Sequence, residues 1–281
     1  YLSIIGFLHF KFGNNQKNII LIFSILIFFS ILLTGERSNS IKAFLGIFLF
    51  YVFFKEYEIK HKFFLIISAI IVLSTTVYSS DFLKLRYFYQ IKSLLSTGGE
   101  RPANKIYLDQ YRSAYNVFKE NIYFGVGNKN YRIVACSKFQ EKADKIINDF
   151  GEETDVLGSH GSKADDLINK LEYRCNTHPH QIFFELLSEH GIFGSIIILY
   201  LIYKLIFSHL LFRISNLNYI QLGSGIYIAL IFLPFIPSGS FFSDFSVTLF
   251  ALNLSIFYAS NPNFNIFSDK NYIKLDEHNF K

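Results

Sequence analysis

Methionine is absent from these 281 residues, so the chain as written carries no initiator. It opens at Tyr1 in the apolar run YLSIIGFLHF, which is too short to span a bilayer. No basic start or small-residue cleavage site accompanies that run, so it does not read as a signal peptide. It reads as the remnant of a helix in a protein truncated at its N-terminus. Basic tracts with interleaved aromatics are missing and the net charge is only +5, so nucleic acid is not an expected partner. Ionisable residues are almost missing from the central apolar stretches, whereas an ion-coupled transport pathway would normally display them. Cysteine occurs only twice, at Cys136 and Cys175, and neither has the closely spaced partner of a common zinc motif.

Apolar residues dominate instead. They make up 51% of the chain, with 34 Phe, 18 Tyr and a mean hydropathy of +0.29. A soluble domain of this length could not hide that much apolar surface, so a membrane protein is the expected class. Six blocks stand out, roughly Asn18–Leu33, Ile41–Phe54, Phe63–Tyr78, Ile192–Phe212, Tyr219–Ile236 and Phe245–Tyr258. Several lie near or below the limit of about 17 residues for a spanning helix, and flanking Ser, Thr and Tyr would extend them.

Basic residues in the gaps fix an orientation. Lys11 and Lys17, then Lys55, Lys60 and Lys62, then Lys204 and Arg213, then Lys270, Lys274 and Lys281 fall in alternate gaps. The other short gaps hold only Arg37, with Lys42 just inside the next helix. The positive-inside rule makes the first set cytoplasmic and puts the long segment from Ser79 to Phe184 outside. The expected organisation is helices over 1–78, a loop domain over 79–184, helices over 185–258 and a cytoplasmic tail over 259–281.

Within the outside segment, Ile106, Tyr107, Tyr111, Ala114, Tyr115 and Phe118 recur at helical spacing. They predict an amphipathic helix from about Ala103 to Glu120, its aromatic face packing onto the domain or the membrane surface. Gly125-Val126-Gly127 lacks the strand and helix of a dinucleotide site and reads as a turn. From Gln140 to Lys170 the chain is charged and poor in aromatics, as a mobile insertion would be. In an oxidising compartment Cys136 and Cys175 would pair, closing a loop of about 40 residues worth roughly 4 kcal/mol in the chain-entropy model. Two unpaired thiols, or a zinc site built with His178 and His180, are the other readings.

The stretch Thr177-His178-Pro179-His180-Gln181 carries the chemistry at the end of this segment. Histidine is the side chain best suited to moving protons near neutral pH. Thr177 or His178 could cap the next helix, with Pro179 at its first position and His180 in its first turn. The positive helix end would then favour the neutral imidazole. A structural hydrogen bond or a metal fragment at i, i+2 are the competing roles. Glu185 and Glu189 follow, and His190 beside Gly191 reads as a cap. Arg37, in Thr34-Gly35-Glu36-Arg37, either snorkels to headgroups, pairs with Glu36 or clamps an anion through its planar fork.

Taken together, TGERS, FKENIYFGVGNKNYR with Arg132, Cys136, and CNTHPHQIFFELLSEHGIFG resemble the O-antigen ligase and polymerase superfamily of bacterial inner membranes. The resemblance runs from about Thr34 to Gly194. It implies an all-α polytopic membrane protein of GT-C-like type, with about six to seven transmembrane helices, one large periplasmic loop and further helices missing before Tyr1. It implies a metal-independent glycosyltransferase without a cofactor, using an undecaprenyl-diphosphate-linked glycan as donor. The acceptor would be lipid A-core for a ligase, a second lipid-linked glycan for a polymerase, or a protein for an O-oligosaccharyltransferase. A transporter or flippase is the reading from another class. By position, His180 matches the catalytic loop histidine, His178 is the other histidine of that motif, and Arg37 matches a diphosphate-binding arginine. Arg101, Arg112 and Arg132 compete for a second diphosphate role, with Arg101 placed first because it precedes the amphipathic helix. The usual proline before Gly-Val-Gly is replaced around Ile122, and Gln181 stands where Asn is common.

Overall fold

The structure, a computed structural model, describes residues 1–12, 16–54, 58–89, 102–150, 167–234 and 236–261. Every regular element among them is helical: α1 Leu2–Phe12, α2 Lys17–Leu33, α3 Arg37–Phe53, α4 Ile59–Ser79, α5 Pro102–Glu120, α6 Tyr131–Phe150, α7 Ile182–Ile202, α8 Tyr219–Ile231 and α9 Asp244–Ala259, joined by a few shorter helical turns. The all-α class implied by the resemblance is what these residues form. Two helical stretches, Lys62–Ser79 and Ile182–Phe212, have the length and hydropathy to cross a membrane. Four further apolar helices are shorter: Leu2–Phe12, Asn18–Leu33, Tyr219–Ile231 and Asp244–Ala259.

The chain divides into two compact units. The first comprises Tyr1–Tyr89, Ile202–Ile231 and Thr248–Lys281. In it, α1 and α8 approach until their backbones touch: a Cβ on Gly6 would lie 2.2 Å from the Tyr219 carbonyl oxygen, and one on Gly223 2.3 Å from that of Leu2. Small residues allow this contact, a common device where helices pack without a solvent-driven force. Leu2, Ile5, Leu32, Phe50, Tyr51 and Phe54 fill the interior, while Ile19, Ile22, Leu26, Phe63, Phe64 and Ile71 stay exposed. Its buried polar groups are grouped: the Tyr51 hydroxyl lies 2.8 Å from Ser24 Oγ and 3.3 Å from His9 Nε2. Burying polar atoms as partners avoids the cost of leaving each unsatisfied.

The second unit comprises Gln90–Leu201 and Phe232–Val247. α5 begins at Pro102, where a missing N–H costs nothing. Ala114 and Val117 of α5 meet Tyr131 and Ala135 of α6 and Tyr173 in a small core. The aromatic face of α5 therefore divides: Ala114 is sealed in the domain, while Tyr115 remains exposed. α6 corrects the expected insertion, because Gln140–Phe150 is helical. Tyr131, Ala135 and Ala143 repeat at multiples of four and are buried, a stripe that carries helix into a sequence rich in charge. Gln140 Nε2 also donates to Asp144 one turn on, at 2.8 Å. Residues 151–166 of the expected insertion lie outside the described residues. A disulfide joins Cys136 of α6 to Cys175. Sulfurs committed to that bond are not thiolates, so the cysteine-based zinc set is not formed.

Candidate active site

Glycines let two backbone segments of this unit meet closely. The segment Ile122–Gly127 pairs its backbone with the middle of α7: Val126 N–H donates to Ser188 O (3.0 Å), Gly127 N–H to Glu189 O (2.8 Å) and Ile192 N–H to Ile122 O (2.8 Å). The Glu189 carboxylate accepts the Lys129 N–H at 2.9 Å. Gly191 breaks α7 at this point, with φ 62° and ψ −168°. Gly125-Val126-Gly127 is a turn, as its sequence context indicates, and both its glycines have positive φ.

A carboxylate and a distant segment build the back. Glu185 is 2% exposed. Ser240 Oγ donates to its Oε1, and the Phe241 N–H donates to its Oε2 at 2.8 Å. The same segment reaches the histidine stretch, where the Ser238 N–H donates to the His180 carbonyl at 2.8 Å. Spacing hints that Glu185 shares a helix with Glu189, but nothing local in the sequence ties it to residues more than fifty positions later.

His180 is not in a helical first turn. Its φ is 57°, in the left-handed region that side chains seldom occupy. Gln181 is the cap instead of Thr177 or His178: its Oε1 accepts the Phe184 N–H at 3.0 Å and its carbonyl accepts the Glu185 N–H at 3.0 Å. The left-handed residue turns the chain sharply before that cap, which holds the His180 ring beside His178, with centroids 4.0 Å apart. Tyr107 of α5 meets His180 edge-on at 6.0 Å. Thr177 Oγ1 pairs with His178 Nδ1 at 3.0 Å. Burial lowers both histidines below the ordinary value of 6.5, and for His180 the charge of His178 adds to the shift. The Ser238 backbone partly opposes it at His178, although the buried Nε2 meets no partner in hydrogen-bonding geometry. The neutral form, able to accept a proton, is thus favoured by desolvation and not by a helix end.

Arg37 belongs to the first unit, as the first residue of α3. Of the alternatives for Arg37, the pairing with Glu36 is not formed; Glu36 faces Arg86 instead, 3.8 Å from its guanidinium. Arg86 Nε also donates to the carbonyl of Gly35, whose φ is 70°. The Tyr87 hydroxyl donates to Leu32 O at 3.2 Å and contacts Ser40 Oγ at 2.7 Å, bridging the end of α2 and the first turn of α3. The turn that presents Arg37 is therefore gripped by the segment after α4, a role that sequence reasoning misses. The signal available is modest: Lys84-Leu85-Arg86-Tyr87 follows α4 directly, on the side assigned to Arg37. Tyr87→Phe is expected to destabilise the protein by about 1 kcal/mol. A fall of a few degrees in the melting temperature of detergent-purified protein checks this; an unchanged midpoint refutes it.

Of the other arginines, Arg112 stands exposed on α5 with Asp109 at 3.8 Å, and Arg132 stands exposed on α6. Arg101 lies outside the described residues. Arg174, not among those candidates, is structural: it bonds Asp109 at 2.9 Å and the carbonyl of Ile168 at 3.1 Å.

Comparison with known proteins fits this geometry into a family. No curated protein and no solved structure matched the chain. The sequence model of the family described as O-antigen ligase matches residues 22–199, a span holding Arg37, both glycine turns and both histidines. That span is more than half of the 281 residues, and the chain belongs to the O-antigen ligase family.

Proposed function

We propose that the protein transfers a glycan from undecaprenyl diphosphate to a sugar hydroxyl of lipid A-core, at the periplasmic face of the bacterial inner membrane. The observation that carries this reading is His180: within the stretch matched to the family, it is held on a left-handed turn and kept neutral by burial. A neutral imidazole is the species a general base needs. The acceptor hydroxyl oxygen attacks the anomeric carbon and gives its proton to His180. The bond from that carbon to the phosphate oxygen breaks, and its electron pair leaves with the diphosphate. Arg37 meets the growing negative charge, because a guanidinium grips phosphate oxygens in a bidentate way. As the first residue of α3, Arg37 itself sits at the positive end of a helix, which favours a bound anion there.

Arg37→Lys keeps the charge and loses the fork. We expect transfer to fall roughly tenfold or more, the cost of about one charge-assisted hydrogen bond. Initial rates with a lipid-linked donor in proteoliposomes read this out, and wild-type kinetics for the lysine variant would remove Arg37 from the site. The acceptor is tested by complementation. Restored ligation in a ligase-null strain is the expected result. Rescue of a polymerase-null strain alone would replace the lipid A-core acceptor with a second lipid-linked glycan.

A further inference from the structure

The face of α5 next to the histidines has more on it than a core needs. Tyr107, Gln110 and Tyr111 lie three and four residues apart and so share one side of the helix. Tyr107 meets His180 edge-on at 6.0 Å and is tilted against Tyr111 at 6.5 Å, between ring centroids; Tyr111 stacks on Phe184 at 5.2 Å. Both tyrosines remain partly exposed. Between them Gln110 is 6% exposed, and its Oε1 has no hydrogen-bond partner. His178, next to His180, has Thr177 Oγ1 on its Nδ1 and the Ser238 backbone acting on its ring. A buried polar atom left unsatisfied on the aromatic side of α5 needs an explanation, since it costs free energy without a partner. Burial pushes the Tyr111 hydroxyl up to about 12, so it stays a proton donor.

We propose that Tyr107, Gln110 and Tyr111 form a sugar-binding wall beside His180, which takes a pyranose ring of the glycan reacting there. A pyranose presents C–H groups on one face and hydroxyls around its rim. Aromatic rings match the face, and the Gln110 carbonyl and tyrosine hydroxyls match the rim. Contact between Tyr107 and His180 puts that ring next to the proton acceptor. The assignment rests on the glycan-transfer reading of His180, and it covers a ring of either the donor or the acceptor.

The chain contains no tryptophan, so Tyr107→Trp introduces a single fluorescent reporter into the wall. The full chain in lipid nanodiscs is titrated with two probes: core oligosaccharide freed from lipid A by mild acid, and repeat-unit oligosaccharide freed from its lipid. A saturable quench or blue shift with either supports the wall, and the probe that gives it identifies the source of the ring. No change with either probe, or strong quenching by brominated lipid chains, overturns it; the latter would make the face a membrane contact. Kinetics give a second measure. Tyr107→Ala is expected to raise KM for that saccharide about tenfold with kcat nearly kept, while Tyr107→Phe, which keeps the ring and loses one rim hydroxyl, raises KM less than the alanine variant does. An active His180→Ala variant would remove the transfer reading while leaving intact the saturable fluorescence response of the Tyr107→Trp variant, so the two failures are distinguishable.

Discussion

Replacing His180 with alanine is expected to lower glycan transfer by about 10²- to 10⁴-fold, the usual contribution of a positioned general base. The protein should still insert and fold, since the ring is only half-buried and its fixed contact with residues 236–240 is through the backbone carbonyl. Transfer measured on reconstituted variant, with membrane insertion as the control, decides the matter; normal turnover would end the assignment. The pH profile gives an independent check. Burial lowers the His180 pKa, so the neutral base persists as pH falls through 6.5, and imidazolium accumulates only below that. The acid limb of kcat/KM should therefore lie below the ordinary histidine range. His178→Gln removes the neighbouring charge that adds to the shift, so the limb should move upward. A limb at or above 6.5 in the unmodified protein contradicts this account.

Gly191→Ala carries the largest expected effect on folding. A Cβ there would lie 2.4 Å from the carbonyl carbon and oxygen of Tyr123, both backbone atoms that cannot step aside. Its φ of 62° with ψ of −168° is also a region reserved almost wholly for glycine. Backbone strain and overpacking together cost roughly 2–6 kcal/mol, a large share of a typical domain's stability. Gly125→Ala should fail for the mirrored reason, since its Cβ would meet the Glu189 carbonyl carbon at 2.4 Å. Size-exclusion profiles and melting curves in detergent measure both. A monodisperse Gly191→Ala variant with a wild-type midpoint would show that the pairing of Ile122–Gly127 with α7 is not required.

Helices are the most legible part of the sequence because burial periodicity and apolar length write directly into it. Lys17–Leu33, the α5 stripe and the Gly125 turn all fall within a few residues of where the pattern puts them. The first half of the charged segment misleads because three small or aromatic residues, Tyr131, Ala135 and Ala143, carry the helix beneath abundant charge. His178 and His180 are visible as a motif, yet the left-handed turn at His180 is not, since a capping pattern at Thr177-His178-Pro179 competes with the one made by Gln181. Arg86, Tyr87 and the partners of Glu185 depend on contacts far along the chain, which no local pattern encodes.

The buttress behind Glu185 bears on how this fold can be recombined. Residues Ser238, Ser240 and Phe241 are separated from the histidine stretch by a long apolar excursion, yet they group with Gln90–Leu201. A chimera that exchanged only that contiguous stretch would leave a buried carboxylate facing foreign donors. This unit is thus not a cassette: exchanging it between relatives calls for moving two pieces of chain, with the return through Pro237–Phe242 as the smaller and less obvious one.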